Sequence, residues 1–329
     1  MGRNGLKQFK KLITTGIYSA LTKEQRDKVH SLKRFSFFHK PASAKNYFIF
    51  CVDGTLWSGG LTDRFKGIIS TFAFCLIKNM DYRIHYVYPF DLYDYLRPND
   101  YDWRLKKGEI SFNIFTSSFV YFIGNAPADR LRKINPAKQI HCFANKDILA
   151  DLNQEYGTAF EWGDLFKKLF KPAQQLQLEI DRLKSFIGGR YTGINFRFQN
   201  LLGDFPEYNY QPLKDTAKKL LIHQCREGLL SVMLHLPREK FLVTSDSAAF
   251  LNSLSDIEEV YVIDGCRTHA DSVPKDQSHT IDFSRSFLDF YLLADAKSVY
   301  SIGTAAMYPS AFPMYAAKLN NIPFHRIEI

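Results

Sequence analysis

The sequence lacks the cysteine pattern of a disulfide-linked or zinc-binding protein. Its 329 residues include five cysteines, an odd number, spread widely along the chain at Cys51, Cys75, Cys142, Cys225 and Cys266. There is no C-x-x-C or H-x-x-x-H spacing, so a structural zinc site is not indicated. We expect these cysteines to be reduced residues of the core.

Long apolar segments are also missing. No stretch approaches the roughly 18 consecutive apolar residues of a membrane-spanning helix. The apolar run at 12–21 is interrupted by Thr14, Thr15, Gly16 and Ser19, and no small-x-small cleavage site follows it, so it does not fit a signal peptide. The expected location is therefore the cytoplasm.

Outside residues 1–45 the chain has no net charge. That segment has eleven Lys or Arg and two acidic residues, which accounts for the whole net charge of +9, and the rest contains 32 basic and 32 acidic residues. A nucleic-acid-binding protein would continue the basic excess into its folded body. We therefore expect no nucleic-acid partner.

The basic segment has the spacing of an amphipathic helix. Its apolar residues recur every three or four positions, with lysines on the opposite side; the apolar set is Leu6, Phe9, Leu12, Ile13, Ile17 and Leu21, and the lysines are Lys7, Lys10 and Lys11. Such a helix can bind an anionic membrane surface, with each basic residue contributing about 1 kcal/mol. It can equally pack on the protein as an ordinary surface helix.

The remaining sequence predicts an α/β protein of two domains. A chain of this length with 46% hydrophobic residues can form two cores. A strand at 47–52, a helix at 63–78 and a strand at 82–87 give the βαβ order of a parallel sheet. The pattern breaks near 166–172 and a second α/β series follows, including a strand at 258–264 and a helix from about 305 to 320. We therefore divide the chain into a basic segment (1–45) and two Rossmann-like domains (46–170 and 171–329) that face each other across a cleft.

One motif points to a different enzyme class and is rejected. Asp53-Gly54-Thr55 after an apolar strand resembles the start of haloacid-dehalogenase phosphatases, but the nucleophilic aspartate is replaced by Cys51. A thiol there, without a basic neighbour to lower its pKa, cannot replace a metal-bound carboxylate.

Polar residues at predicted strand ends indicate a ligand-binding crevice in the second domain. Arg197 follows an apolar strand, where its guanidinium can bind two oxygens of a diphosphate or form a salt bridge with a nearby carboxylate. Ser245 and Asp246 end an earlier strand, and Asp289 lies on a later helix. Each of these can bind a base or ribose, or can cap a helix.

Two glycine-containing turns offer backbone N–H groups. Gly303, Thr304 and Ala305 run from a strand into a predicted helix, as in a phosphate cradle or an ordinary capped helix. In the first domain Gly59 and Gly60 precede a helix whose first turn includes Asp63, which can face the cleft or cap the helix.

Taken in order, these segments resemble the fucosyltransferase superfamily with the GT-B fold, which includes the α1,2-, α1,6- and protein O-fucosyltransferases and the nodulation enzymes. The resemblance covers about residues 47–325. It is strongest at 59–67 (GGLTDRFKG), at 194–204 (INFRFQNLLGD), where Arg197 matches the arginine that binds the donor pyrophosphate, and at 289–306. In the last segment Asp289 matches the aspartate that contacts guanine, and Thr304 and Ala305 match the residues that contact the β-phosphate.

Two departures bear on the donor. Asn195 replaces the usual histidine of the H-x-R motif and Ala305 replaces a hydroxyl residue. Asn195 can still form hydrogen bonds, and backbone amides can still serve at Ala305. The resemblance implies GDP-fucose as donor substrate, with another GDP-sugar as an alternative, and no metal or other cofactor.

The implied reaction is an inverting transfer to a glycan or lipid-linked acceptor, in the synthesis of a surface polysaccharide or a related glycan. The general base must reach the acceptor hydroxyl directly or through one water. Asp204 is the first candidate for the base, and Asp63 and Glu207 are the alternatives. A non-catalytic nucleotide-binding relative is the competing interpretation.

Overall fold

The structure is a computed structural model that describes residues 34–39, 46–125, 128–205, 211–265 and 281–329. The predicted amphipathic helix within residues 1–33 and the candidate base Glu207 lie outside these ranges. Among the described residues, no helix has the combination of length and apolar character needed to cross a bilayer.

The described chain alternates strands and helices as an α/β protein. The strands are β1 (Phe48–Val52), β2 (Tyr82–Tyr86), β3 (Leu96–Pro98), β4 (Ser117–Phe122), β5 (Gln139–Ala144), β6 (Phe170–Pro172), β7 (Tyr191–Phe196), β8 (Lys240–Ser245), β9 (Val260–Tyr261), β10 (Val299–Gly303) and β11 (Phe324–Glu328). The helices are α1 (Leu61–Ile77), α2 (Leu92–Tyr95), α3 (Leu149–Tyr156), α4 (Trp162–Leu169), α5 (Gln174–Ile187), α6 (Asp215–His235), α7 (Ala248–Asn252), α8 (Ser284–Ala294) and α9 (Phe312–Leu319), with a 3₁₀ helix at Ala128–Lys133.

Two parallel sheets organise these elements. The first has the order β2-β1-β5-β4 and the second has the order β11-β10-β7-β8-β9. Strands β3 and β6 form a separate antiparallel pair. The β1, α1, β2 sequence is the predicted βαβ unit, and β6 lies at the predicted boundary between residues 170 and 171.

A single aromatic core connects the helices of the two sheets. Phe65 of α1 lies 5.0 Å from Phe166 of α4 and 5.6 Å from Phe290 of α8, measured between ring centroids. Trp162 of α4 also contacts Tyr315 of α9 at 5.2 Å. Because burying an aromatic side chain of this size is among the largest gains in a core, these contacts hold the two sheets together around the space between them.

Helix α1 lies unusually close to its sheet. A Cβ added at Gly67 would lie 2.2 Å from the carbonyl oxygen of Ala144 at the end of β5. Only glycine permits this approach without displacing the backbone. The close packing fixes where the N-terminus of α1 meets the end of the sheet.

The predicted helix at about 305–320 is wrong over its first part. Strand β10 ends at Gly303, a turn follows in which the N–H of Met307 donates to the carbonyl of Thr304 at 2.9 Å, and α9 begins only at Phe312. Pro309 has no N–H and disfavours helical geometry in the residue before it, whereas Pro313 in the first turn suits a helix start. The strand predicted at 258–264 is likewise short, with only Val260–Tyr261 paired.

The end of the basic segment is bound to the first sheet. Arg34 is buried, and its guanidinium donates to Asp53 Oδ2 at 2.7 Å and to His141 Nδ1 at 2.8 Å. The N–H of Ser36 donates to the carbonyl of Phe112 at 2.9 Å. Residues 34–39 therefore pack with the body of the protein, although the sequence division placed them in the basic segment.

Candidate active site

A cavity of about 400 Å³ lies between the two sheets at the carboxyl ends of their strands. Predicted site residues from both halves of the chain line it: Gly60, Asp63, Asn195, Arg197, Ser245, Asp246 and Asp289. Its volume is in the range of small-molecule sites, and ligands of open parallel sheets bind at this end of the strands. Gly59, Asp204, Gly303, Thr304 and Ala305 lie outside the lining that the described residues form.

Arg197 and Asp246 form an ion pair at the wall of this cavity. They follow the neighbouring parallel strands β7 and β8, and Arg197 Nη1 donates to Asp246 Oδ2 at 2.6 Å. Asp246 also accepts the backbone N–H groups of Phe198 and Gln199 at 2.8 and 2.7 Å. Burial raises the pKa of Asp246, while Arg197 and these N–H groups act in the opposite direction.

The Arg197 guanidinium is held from a second side by an aromatic ring. It lies 4.7 Å from the ring centroid of Phe205. The Arg197 side chain is 18% exposed, compared with 5% for Asp246. Because the carboxylate and the ring fix its position, the cation is presented to the cavity in one orientation and can bind oxygens of a diphosphate there.

Asn195 and Ser245 line the cavity but already have protein partners. Asn195 is buried, and its side-chain amide donates to Thr244 Oγ1 at 2.9 Å. The Ser245 hydroxyl accepts the N–H of Ser247 at 3.1 Å in the turn after β8. Both side chains therefore help to hold the ends of β7 and β8.

Asp289 forms a buried ion pair on α8. Its Oδ1 lies 2.6 Å from Arg285 Nη2, one helical turn earlier, and the two side chains are 6% and 5% exposed. Arg285 also donates through Nη1 to the carbonyl of Asp264 at 2.9 Å. A buried carboxylate without such a partner would be an uncompensated buried charge, and this one lines the cavity from the second half of the chain.

The N-terminus of α1 forms part of the opposite lining. Gly60 is its N-cap and Asp63 lies in its first turn, where a carboxylate interacts favourably with the helix dipole. Asp63 Oδ1 accepts a hydrogen bond from Lys66 Nζ at 2.8 Å. Thr62 lines the cavity too, and its buried hydroxyl has no hydrogen-bond partner among the described residues.

The glycine loop before α1 is held by a buried arginine. Arg64 donates through Nε to the carbonyl of Gly59 at 3.0 Å and through Nη1 to the hydroxyl of Tyr86 at 2.6 Å. Gly59 has φ +78°, and a Cβ there would lie 2.5 Å from Asp63 Oδ2. Glycine is thus required at this position by both conformation and space.

The remaining predicted residues are placed differently. Asp204 accepts hydrogen bonds from Ser247 Oγ and the N–H of Ala249, both at 2.8 Å, so its carboxylate stabilises the start of α7. The expected strand-to-helix cradle at Gly303, Thr304 and Ala305 is not formed, because α9 begins later. The Thr304 hydroxyl is buried and has no hydrogen-bond partner among the described residues.

The Cys51 region agrees with rejection of the phosphatase motif, for a different reason. Arg34 Nη2 donates to Cys51 Sγ at 3.4 Å, so the thiol does have a basic neighbour, contrary to expectation. Burial nevertheless outweighs this charge and raises the pKa of Cys51 to about 12. The thiol is therefore neutral near pH 7 and cannot act as a nucleophile.

Several lining residues were not assigned to the site from the sequence. Lys66 lies three positions after Asp63, a spacing that places both on one face of α1. Tyr308 and Phe312 come from a loop and a helix start whose positions depend on tertiary packing. No group of three or more His, Cys, Asp or Glu in the described part of the chain is arranged to hold a metal ion.

The two parallel sheets and the cavity between them can be compared with known structures, and solved fucosyltransferases are similar to the chain in fold. No family model matches the sequence, and no curated protein matches it. A mutant of FUT1 from Arabidopsis thaliana, solved in complex with GDP, is 14% identical with a TM-score of 0.56 over 92% of this chain and 74% of its own.

The bacterial enzyme NodZ gives a similar match. NodZ alpha-1,6-fucosyltransferase soaked with GDP-fucose is 14% identical with a TM-score of 0.50, over 84% of this chain and 93% of its own. Fucosyltransferase NodZ from Bradyrhizobium is 13% identical with a TM-score of 0.51, over 83% and 92%. The protein therefore has the fold of the GT-B fucosyltransferases, which confirms the resemblance at the level of the fold.

Proposed function

We propose that this protein is an inverting glycosyltransferase that transfers fucose from GDP-fucose to a hydroxyl group of a glycan acceptor. The observation that carries the proposal is the cavity where Arg197, Asp289 and the N-terminus of α1 meet. A cation, a buried carboxylate and a helix N-terminus are the groups needed to bind a nucleoside diphosphate. Similar folds have been solved with GDP and with GDP-fucose.

Arg197 is the proposed diphosphate ligand. Its ion pair with Asp246 and its contact with Phe205 hold the guanidinium beside the cavity, so little side-chain freedom remains to be lost on binding. When the bond between the sugar and the β-phosphate breaks, negative charge grows on the diphosphate. A preorganised cation stabilises that charge most when it is greatest.

The N-terminus of α1 supports the same ligand from the other sheet. The 17-residue helix α1 has its N-terminus at the cavity, so its positive dipole end and its first backbone N–H groups lie beside the proposed diphosphate site. Thr62 adds a buried hydroxyl that lacks a partner among the described residues, and a phosphate oxygen would supply one.

Asp289 is the proposed ligand of the guanine base. Guanine carries an N–H and an amino group side by side on one edge, and a carboxylate can accept hydrogen bonds from both. The Arg285 guanidinium, 2.6 Å away, gives this buried carboxylate an ion-pair partner. Adenine and uracil lack that pair of donors, so the arrangement favours GDP over ADP or UDP.

In the proposed reaction the acceptor oxygen attacks the anomeric carbon of the donor sugar. The bond from that carbon to the phosphate oxygen breaks, GDP leaves with the bonding electrons, and the acceptor proton passes to a general base. Asp63 is the candidate that lines the cavity, whereas Asp204 is engaged in capping α7. We therefore assign the base to Asp63, with Lys66 as its ion-pair partner.

A nucleotide-binding relative without transferase activity is the second candidate. Two residues favour it. The Asn195 amide donates to Thr244 and so connects two strands of the sheet, and Ala305 has no hydroxyl. A transferase that uses a different GDP-sugar fits the same observations. Turnover separates these alternatives, because only a transferase releases GDP in an acceptor-dependent way.

The cellular setting is part of the proposal. The neutral body and the basic residues of 1–33 fit a cytoplasmic enzyme held at the inner face of a membrane, where a lipid-linked acceptor for a surface polysaccharide would be found. The balanced charge of the body argues against a nucleic-acid partner. Arg197, Thr62 and the N-terminus of α1 can bind the diphosphate, so we propose that no metal is required.

The test is nucleotide binding followed by turnover. GDP and GDP-fucose should raise the melting temperature of the full chain more than ADP or UDP do, since only guanine provides the donor pair for Asp289. Release of GDP from GDP-fucose in the presence of EDTA and a glycan mixture then tests transfer. If no guanine nucleotide shifts the melting temperature, the proposed function is wrong.

A further inference from the structure

Two large aromatic side chains line the cavity and remain exposed to solvent. Trp57 is 60% exposed and Tyr308 is 50% exposed, yet both belong to the cavity lining. The other two tryptophans, Trp103 and Trp162, are each 3% exposed. Trp103 also donates its indole N–H to the carbonyl of Leu169 at 2.8 Å, so it is a core residue.

The two exposed aromatics reach the cavity from different sheets. Trp57 lies between β1 and α1, in the segment that leads to Asp63. Tyr308 follows β10 of the second sheet, in the segment that replaces the expected helix start. Exposed apolar rings at a concave site, rather than scattered over the surface, indicate a surface that is covered when a ligand binds.

We propose that Trp57 and Tyr308 form the acceptor subsite and bind a pyranose ring by stacking against its C–H face. This inference rests on the proposed function and names the chemical class of its acceptor. A pyranose whose hydroxyls are equatorial has a flat apolar face and a polar edge, which matches an amphipathic aromatic ring. Free hydroxyls at the edge would then be directed toward the polar groups of the lining, among them Asp63.

The nucleotide base is the other planar group that could cover these rings. The buried pair Arg285 and Asp289 provides a polar site for a base away from solvent, with side chains 5% and 6% exposed. Trp57 and Tyr308, by contrast, are accessible before any ligand enters. Because the buried pair already provides a site for the base, the accessible rings are assigned to the acceptor.

The exposure of Trp57 alone among the three tryptophans provides a direct measurement. Acrylamide quenching of the intrinsic fluorescence of the full chain should report mainly on Trp57, because the other indoles are buried. With GDP present, cellotetraose or chitotetraose, whose β-1,4-linked rings have flat C–H faces, should protect Trp57 from quenching. Protection by GDP alone to the same extent would place the base on Trp57 and overturn the inference, as would the absence of protection by either saccharide.

Variants test both rings with a readout that a structural role would not give. Trp57→Ala and Tyr308→Ala should each raise the KM or Kd for the saccharide about tenfold, with GDP affinity within about twofold of wild type. Trp57→Phe and Tyr308→Phe should restore most of the affinity because the ring face is kept. Phe186→Ala is the matched control, since Phe186 is 63% exposed and lies outside the cavity lining.

The two levels of the proposal fail in different ways. If wild-type protein does not bind GDP, the glycosyltransferase assignment itself is wrong. If GDP binds normally but Trp57→Ala and Tyr308→Ala leave saccharide affinity unchanged, only the acceptor subsite is wrong. Loss of GDP binding in these alanine variants, with normal thermal unfolding, would move both rings to the donor site and also overturn the inference.

Discussion

Arg197 and Asp246 are joined across two neighbouring parallel strands, with 2.6 Å between the guanidinium nitrogen and the carboxylate oxygen. Both residues come directly after strand ends whose register pairs Phe196 with Ser245. The carboxylate also accepts two backbone N–H groups, so it connects the loop after β7 to the end of β8. One buried aspartate thus orients the cation that we assign to the donor diphosphate.

Replacement of Arg197 should weaken GDP binding more than it weakens the fold. We expect Arg197→Lys to lower GDP affinity about 10-fold and Arg197→Gln about 100-fold, because a lysine is a point charge and a glutamine has none. Isothermal titration calorimetry with GDP measures the effect. Arg182→Gln is the control: Arg182 forms an exposed ion pair with Glu179, outside the cavity lining. Equal GDP affinities for wild type and Arg197→Gln would contradict the assignment.

The Arg34–Asp53 pair should make stability depend on acid pH. Burial acts to raise the pKa of Asp53, but the Arg34 charge and hydrogen bonds from Thr55 and Arg34 outweigh it and hold the pKa below the unfolded value of 3.8. The folded state therefore binds fewer protons than the unfolded state near this pH. The contribution of Asp53 to stability is complete above the unfolded pKa and is lost as the pH falls through the lower folded pKa.

The variant that isolates this effect is Asp53→Asn. We expect it to lower the free energy of unfolding by about 2 kcal/mol near neutral pH, and the difference from wild type should shrink as the pH falls toward about 3. Urea unfolding at a series of pH values measures both quantities. Asp100→Asn serves as the control, since Asp100 is exposed at the surface in the loop after β3. A difference that does not change with pH would contradict the role of Asp53.

The contacts of Arg34 also determine where the basic segment can be removed. A chain lacking residues 1–33 should dissociate from anionic vesicles and still bind GDP, because most of the excess basic charge lies there and Arg34 is retained. A chain lacking residues 1–40 should be less stable, since it leaves Asp53 without its cation. Vesicle cosedimentation and thermal unfolding of both chains check this, and vesicle binding that survives the shorter deletion would contradict a membrane role for the segment.

The parts of the site that sequence patterns predicted are those determined by local order along the chain. The sequence pattern predicts a strand or a glycine turn directly before Arg197, Asp246 and the first turn of α1. Parallel strands bring their carboxyl ends to the same edge of a sheet, so residues that follow them lie close together. The helix expected from about residue 305 shows the opposite case. A turn follows β10 in place of the expected helix start, and α9 begins at Phe312 with Pro313 in its first turn.

Long-range partners account for most of what the sequence did not predict. Arg34 lies 107 positions from His141 and yet donates to it, and no spacing along the chain indicates that contact. Asp204 lies 45 positions from Ala249, whose N–H it accepts. From the sequence, Arg34 belonged to the basic segment and Asp204 was a candidate general base. Their tertiary contacts indicate that both side chains stabilise the fold.

The choice between Asp63 and Asp204 as general base is open to a direct comparison. Asp63→Asn should lower kcat by about 10² to 10⁴-fold, because the amide cannot accept the acceptor proton, while the KM for the donor stays near wild type. Asp204→Asn should leave kcat near wild type and lower thermal stability, because it weakens the two hydrogen bonds that begin α7. Both variants replace a carboxylate with an amide. Asp63 belongs to the cavity lining and Asp204 lies outside it.

The variant Lys66→Met tests whether Asp63 itself or the ion pair around it is needed for activity. It removes the ion-pair partner of Asp63 without removing the carboxylate, so kcat should fall less than in Asp63→Asn. Steady-state kinetics of wild type, Lys66→Met and Asp63→Asn measure this order of kcat values. If Asp63→Asn retains wild-type kcat while Asp204→Asn loses it, the base belongs to Asp204, and the capping contacts of that residue must open during the reaction.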